Sequence, residues 1–321
     1  MKAETGRRDG RLALTLIGGF LGSGKSTWLR HQLHEGRYLN HHILVNEAAL
    51  TPVDNLLLGN ALRVEVLAGG CACCEGLPAL IAALRDICDM ASARDSTAID
   101  GVLLETSGLA DPGAIAAALA ADQVLARRLA IDEVVVLVDA RHARAQLADE
   151  PLARAQVEAA DRLIITKPVL AEGDGLARLA ATLRLLNPAA EIGAAEQGVP
   201  LALPSEPAEP YALPAVRSMA EPIRPYRLEV GSEGGWIALS TWLSALLQAR
   251  GDDVVRVKGV VRAPAGRLLL QSVRRVVQPP EILPEGNEAL AGPAPEEGVI
   301  VLIGRNIDGE QLERSWQKFG A

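Results

Sequence analysis

Hydrophobic residues in the first 190 positions fall into short unbroken runs, separated by alanine- and leucine-rich stretches with helical spacing. The runs at 12–17, 42–46, 64–67, 102–105, 134–138 and 163–166 predict strands. Runs such as VVVLV and VLLLE show no apolar–polar alternation, the pattern of strands covered by helices on both faces and therefore of a parallel sheet. Between them, 27–32, 78–90, 112–119 and 176–186 predict helices, with Pro78 and Pro112 in first turns, where a missing N–H costs nothing. This alternation predicts an α/β domain on a mostly parallel sheet.

The pattern changes after residue 199. Seven prolines, from Pro200 to Pro225, mark residues 200–225 as an extended linker. Beyond it the order is a strand (226–230), a helix (236–248), strands at 254–261, 267–273 and 299–303, and a last helix (309–316), which predicts a smaller α+β domain over 226–321. Two domains, 1–199 and 226–321, suit a chain of 321 residues.

Between the first predicted strand and helix, residues 19–26 read GFLGSGKS, a complete G-x-x-x-x-G-K-[ST] phosphate-binding loop. In such a loop, backbone N–H groups close around phosphate oxygens while the helix points its positive end at the same place. Gly19, Gly22, Ser23 and Gly24 would form the cradle, Lys25 would neutralise the β- and γ-phosphates, and Ser26, followed by Thr27, would offer its hydroxyl to Mg²⁺. The predicted strand at 102–105 ends on Glu105, where parallel sheets bind ligands. Glu105 is thus a candidate to hold Mg²⁺ or position an attacking water, and Gly108 to offer its N–H to the γ-phosphate.

A third cluster follows the predicted strand at 64–67. Gly69-Gly70-Cys71-Ala72-Cys73-Cys74 places three thiols within four residues, a soft ligand set suited to Zn²⁺ or another borderline cation. On an extended chain Cys71 and Cys73 converge on one ion while Cys74 faces away. Packing of small cysteines and a redox pair are the alternatives. Cys88, alone on a predicted helix, reads as core. His31 and His34 share a helix face, and His41–His42 read as a loop. The tryptophans read as structural, with Trp28 behind the phosphate loop.

A net charge of −8 and the lack of any long basic run exclude a nucleic-acid footprint. No stretch has the roughly 18 uncharged apolar residues of a membrane span, and the apolar run after Arg11 feeds the phosphate loop rather than a cleavage site. Clustered thiols suit a reducing compartment, so a cytoplasmic protein is expected.

GGFLGSGKST, NEAALTPVD (46–54), GGCACC, ETSGLADP, VVVLVDA, the run from Gln156 through Asp161 to Thr166-Lys167, and Leu186-Asn187-Pro188 occur in the order of the CobW-like P-loop GTPases, which the chain resembles. RVKG (256–259) and LQSVR (270–274) resemble the CobW C-terminal domain. The resemblance implies a GTP-driven metallochaperone that delivers Zn²⁺ or Co²⁺ to a client metalloprotein or cofactor-synthesis protein, with the cargo on Cys71, Cys73 and Cys74. It leaves homo-oligomerisation open. Thr166 and Lys167 would approach the base, and Glu47 and Asp54, near the first switch, would serve catalysis and Mg²⁺.

Two positions depart from the family pattern. Leu50 stands where the family's N-E-F-G-E switch has its last acidic residue, and Val169 stands at the aspartate of [NT]-K-x-D, which accepts hydrogen bonds from guanine. Each such charge-assisted bond contributes about 1.5–3 kcal/mol, so relaxed base choice with ATP as an alternative to GTP, and slow turnover, are expected. Glu172 and Asp174 are the nearest replacement acceptors in sequence. A degenerate module that binds nucleotide and metal without hydrolysis is the rival reading.

Overall fold

The computed structural model describes residues 7–8, 10–38, 40–46, 63–67, 76–92, 99–171, 173–214, 224–231, 235–251, 253–273, 275–277, 279–283 and 297–320. The chain divides into two units, residues 1–119 with 128–220 and residues 120–127 with 221–321.

Up to residue 201 the elements run β1 (Arg7–Arg8), β2 (Arg11–Gly18), α1 (Lys25–His34), β3 (His41–Asn46), β4 (Arg63–Leu67), α2 (Leu77–Ser92), β5 (Gly101–Glu105), α3 (Pro112–Ala121), α4 (Leu125–Arg128), β6 (Leu129–Asp139), α5 (Ala143–Asp149), α6 (Pro151–Ala159), β7 (Arg162–Thr166), α7 (Gly175–Leu186), β8 (Glu191–Glu196) and β9 (Val199–Leu201), all in the first unit except the end of α3 and most of α4. The strand order is β4-β3-β5-β2-β6-β7-β8-β9, with β1 folded back on β2. From β4 to β8 every pairing is parallel, and β9 closes one edge as an antiparallel hairpin strand. All eight residues of β2 are buried, as the unbroken apolar run requires. Trp28, Leu29 and Leu33 of α1 cover one face of the sheet, meeting Ile17, Ile43, Leu103, Val135 and Leu137. Cys88 is buried in α2, and burial pushes its thiol pKa up.

Register aligns the strand ends. Glu105 pairs with Ile17 on one side and Val45 on the other, and Asp139 pairs with Thr166, so the loops that follow share one rim.

The structure differs from expectation in a few places. His41 joins β3 rather than a loop, because pairing with Gly101 extends the ladder one residue before the predicted strand at 42–46, and His42, read both as loop and as the start of that strand, is buried in it. The strand β6 starts five residues before its apolar run: Asp132 is an extra residue opposite the Leu14–Thr15 step, and Glu133 is covered by an ion pair with Arg162 at 2.8 Å. Neither α5–α6 nor β8–β9 was among the predicted elements. The outermost strand β9 has all three residues, Val199, Pro200 and Leu201, exposed.

Residues 202–214 have no regular structure but are tied to the first unit. The Tyr211 ring lies under the Arg178 and Arg144 guanidiniums, at 4.8 and 5.5 Å from its centroid. Its hydroxyl donates to Gly175 O at 3.1 Å, and its N–H to Thr182 Oγ1 at 2.8 Å. Arg154, itself buried, donates to Leu147 O and, at 2.8 Å, to Pro214 O.

The second unit contains β10 (Arg224–Glu229), α8 (Gly235–Arg250), β11 (Val254–Ala263), β12 (Gly266–Val273), β13 (Val276–Val277), β14 (Glu281–Leu283), β15 (Val299–Gly304) and α9 (Gly309–Gly320). Its antiparallel sheet has the order β10-β15-β11-β12-β13, with β14 also on β12. The helices α8 and α9 meet through Trp242 and Trp316, whose rings stand edge to face at 5.6 Å, while Trp242 Nε1 donates to Ser315 Oγ at 3.0 Å. Trp236 packs against the same core. No helix among the described residues is long and apolar enough to cross a membrane.

Candidate nucleotide-binding site

The loop between β2 and α1 takes a shape that only its glycines permit. Gly19 has φ 134°, and a Cβ there would lie 2.6 Å from Ser23 Oγ and clash with the Leu137 carbonyl. Gly24, with φ 86°, is the left-handed cap of α1, and its carbonyl accepts the first helical bond from Trp28 N–H at 2.9 Å. The N–H groups of the first turn, which have no acceptor within the helix, therefore open beside the loop. Lys25 Nζ folds across the loop, donating to Gly19 O at 2.8 Å and Phe20 O at 3.3 Å.

Ser26 donates its hydroxyl proton to Glu105 Oε1 at 2.7 Å, joining the helix start to the end of β5 across 79 residues of chain. Glu105 is buried, and the chain after it turns back through Thr106 Oγ1, which donates to Ile17 O at 3.0 Å. Gly108 lies so close to Leu21 that a Cβ would fall 2.8 Å from the Leu21 N and Cα atoms, so the loop after β5 rests on the phosphate loop. Gln156 of α6 holds that loop from behind, donating to Gly108 O at 3.2 Å and Ala110 O at 2.7 Å. The result is a cleft of about 400 Å³ lined by Lys25, Ser26, Asn46, Glu105, Ser107 and Gly108, among others.

The corner after β7 braces the other side. Thr166 Oγ1 donates to Ser23 O at 2.8 Å, and Lys167, with φ 54°, donates its amine to Gly22 O and to Asp139 Oδ2, each at 2.7 Å. Burial disfavours ionisation of Asp139, but bonds from Lys167, His142 and the Arg141 N–H outweigh it and hold the carboxyl below its ordinary pKa. A second cavity, about 320 Å³, adjoins the cleft between α1, this corner and the β8–β9 turn.

A phosphate loop whose serine is bonded to a strand-end carboxylate narrows the candidates to P-loop nucleotide-binding proteins, and the family comparison decides among them. Residues 13–193 match the CobW/HypB/UreG nucleotide-binding domain, and residues 234–320 match the cobalamin synthesis protein CobW C-terminal domain. The chain belongs to the CobW/HypB/UreG family. It is 38% identical over 157 residues to the zinc chaperone YjiA of Escherichia coli, an alignment covering 49% of each chain. It is 29% identical over 187 residues to the zinc-regulated GTPase metalloprotein activator 1 of Schizosaccharomyces pombe, covering 56% of this chain and 44% of that one. The chain thus spans about half the length of the curated relatives it matches. The crystal structure of Zn(II)-bound YjiA GTPase from E. coli has the same fold: TM-score 0.58, 22% identity, covering 96% of this chain and 99% of that one.

In this CobW-family chain the structure brings together Gly19, Gly22, Ser23, Gly24, Lys25, Ser26, Thr27, Glu105, Gly108, Thr166 and Lys167 around two adjoining cavities. Glu47, Asp54, Cys71, Cys73 and Cys74 lie outside the described residues, as do Leu50 and Glu172. Among the described residues no cluster of histidine, cysteine and carboxylate side chains could hold a metal. His34 is exposed, while His31 packs against Gly198 instead of pairing with it. Asp174 stands at the N-cap position of α7 without a side-chain cap bond and lines neither cavity. The sequence reading assigned no role to the side chains of Asp139 and Gln156. Asp139 carried a signal, a carboxylate ending a buried run just as Glu105 does.

Proposed function

We propose that this chain binds and hydrolyses GTP with Mg²⁺ and uses the cycle to pass zinc to a client metalloprotein. The observation that carries the reading is the 2.7 Å bond between Ser26 and Glu105 at the floor of the phosphate cleft. A hydroxyl and a carboxylate side by side are the hard oxygen donors that Mg²⁺ takes, so these residues fit the ion, which when bound would offset charge on the β- and γ-phosphates.

Lys25 is poised to exchange the carbonyls of Gly19 and Phe20 for phosphate oxygens, a stronger charge-assisted pairing. Glu105 orients the Ser26 hydroxyl and accepts from water at the γ-phosphate. The backbone N–H of Gly108, on the loop that Gln156 restrains, is placed to follow the presence or loss of that phosphate.

Zinc is the cargo this reading assigns to Cys71, Cys73 and Cys74, with Co²⁺ the competing borderline cation. Two facts support it. The relatives named above are described as a zinc chaperone and a zinc-regulated metalloprotein activator. Also, β4 runs parallel to β3 and ends at Leu67 on the rim that carries Glu105, four residues before Cys71.

The test is Zn²⁺ affinity by chelator competition on the reduced protein, without nucleotide, with a non-hydrolysable GTP analogue and Mg²⁺, and with GDP. Coupling requires a difference between nucleotide states. Equal affinity in all three would sink it, and unchanged binding in the Cys71→Ser, Cys73→Ser variant would remove the assigned cargo site. A non-hydrolysing scaffold is the second reading, favoured by Val169, which is 67% exposed and carries no acceptor for the base. Multiple-turnover phosphate release that Lys25→Ala abolishes decides against it.

A further inference from the structure

The second cavity adjoins the phosphate cleft along Gly24, Thr27 and Lys167, which line both. A nucleotide with its phosphates on the loop therefore extends its base into this space. At the corner after β7 the family's usual acceptor is missing: Val169 is outside the lining, and Leu170 faces the cavity instead.

On another wall stands Glu196, the last residue of β8. It pairs with Val199 across a tight turn whose central residues, Gln197 and Gly198, have φ 49° and 95°. The turn is seated on α1 without help from Glu196: Gly198 packs on His31, and Gln32 Nε2 donates to Gly198 O at 3.4 Å. One oxygen of the Glu196 carboxylate, Oε2, is buried from solvent and has no hydrogen-bond partner. Buried acceptors are nearly always satisfied; Oε2, shut off from water, would gain the partner it lacks if the carboxylate turned into the cavity toward a ligand with donors.

We propose that Glu196 reads the nucleobase and selects guanine. Guanine presents adjacent N1–H and N2–H donors, which match the two oxygens of one carboxylate. Adenine presents one amino group beside N1, an acceptor that would face a carboxylate oxygen. Lys167, its amine held by Gly22 and Asp139, supplies a fixed wall rather than a reading group. Base choice has moved from the corner after β7 to the β8–β9 hairpin, and the guanine preference that Val169 alone would forfeit is kept. This inference rests on the nucleotide-binding reading above and names the residue that reads the base at the same site.

The experiment measures binding of fluorescent GDP, ADP and XDP to the wild-type chain and to Glu196→Ala, Glu196→Gln and Lys25→Ala, with thermal melting of each. The wild type should prefer GDP to ADP. Glu196→Ala should lose roughly 10- to 100-fold in GDP affinity and under about threefold for ADP. Glu196→Gln should gain affinity for XDP, because the amide can donate to the C2 oxygen that replaces the guanine amino group. The proposal is overturned if both variants melt like wild type and leave the GDP-to-ADP ratio unchanged. It is equally overturned if they weaken both nucleotides alike, as a ribose contact would. Nucleotide binding by the wild type no better than by Lys25→Ala would instead remove the underlying nucleotide reading, and this inference with it.

Discussion

Lys167 Nζ lies 2.7 Å from Oδ2 of Asp139, a carboxylate only 1% exposed, while the same amine donates to the Gly22 carbonyl. One ammonium thus ties the end of β6 to the phosphate loop. Lys167 itself is 36% exposed, and without it the buried Asp139 carboxylate keeps the Arg141 N–H and His142 as partners. Lys167→Met should therefore lower stability by about 1–3 kcal/mol, the cost of a lost charge-assisted hydrogen bond, read as a drop in the denaturation midpoint.

Asp139 also sets a pH dependence. Its folded pKa lies below its unfolded value, so its contribution to stability is present above the unfolded pKa and is lost as pH falls through the folded one. Melting temperatures of wild type and Asp139→Asn should differ most near neutrality, and the gap should close below about pH 4. A gap that widened with acid would contradict the assigned direction.

Glu105→Gln should separate binding from hydrolysis. The amide still accepts from Ser26 but no longer carries the charge to which the proposed function assigns the orientation of water and Mg²⁺. GDP affinity should stay within a few fold, while phosphate release falls about 100-fold or more. Equal losses in both would mean that Glu105 mainly shapes the cleft.

Gly19→Ala should damage the loop itself. The new methyl meets Leu137 O and Ser23 Oγ at a φ that L-residues seldom adopt. A loss of about 1–3 kcal/mol in unfolding free energy is expected, with nucleotide binding lost too. Lys25→Ala, at a position free of that constraint, should lose nucleotide while unfolding near the wild-type midpoint.

Asn187→Ala tests a brace distant from the cleft. The Asn187 amide nitrogen serves the carbonyls of Val157, Glu158 and Ala160 at the end of α6, at 2.8, 3.3 and 2.9 Å. Removing this shared donor from the helix end should cost about 1–3 kcal/mol.

The strands that cross the centre of the sheet were legible because burial on both faces demands unbroken apolar runs, as in VVVLV and VLLLE. The hairpin of β8 and β9 was not: EIGAAE has one β-branched residue, and its strand character comes from pairing with β7. That loss hid Glu196, whose meaning depends on facing a cavity formed by residues up to 172 positions away in sequence. The helices α5 and α6 were masked by their mixture of arginine, glutamine and acid around Pro151. Phosphate-loop residues and Glu105 were readable because strand–turn–helix context and strand-end placement carry their chemistry locally. Gln156 and Asp139 act through contacts with distant backbone, which spacing alone does not encode.

The hairpin strand β9 also governs how the molecule meets its own copies. An open sheet border with exposed Val199 and Leu201 invites a foreign strand to dock and extend the ladder. Here that border is three residues long, with a proline at its centre that offers no N–H to a newcomer. Pro200 thus acts as a guard against self-adhesion, and Pro200→Val would convert a blunt margin into an apolar seam along which concentrated protein polymerises.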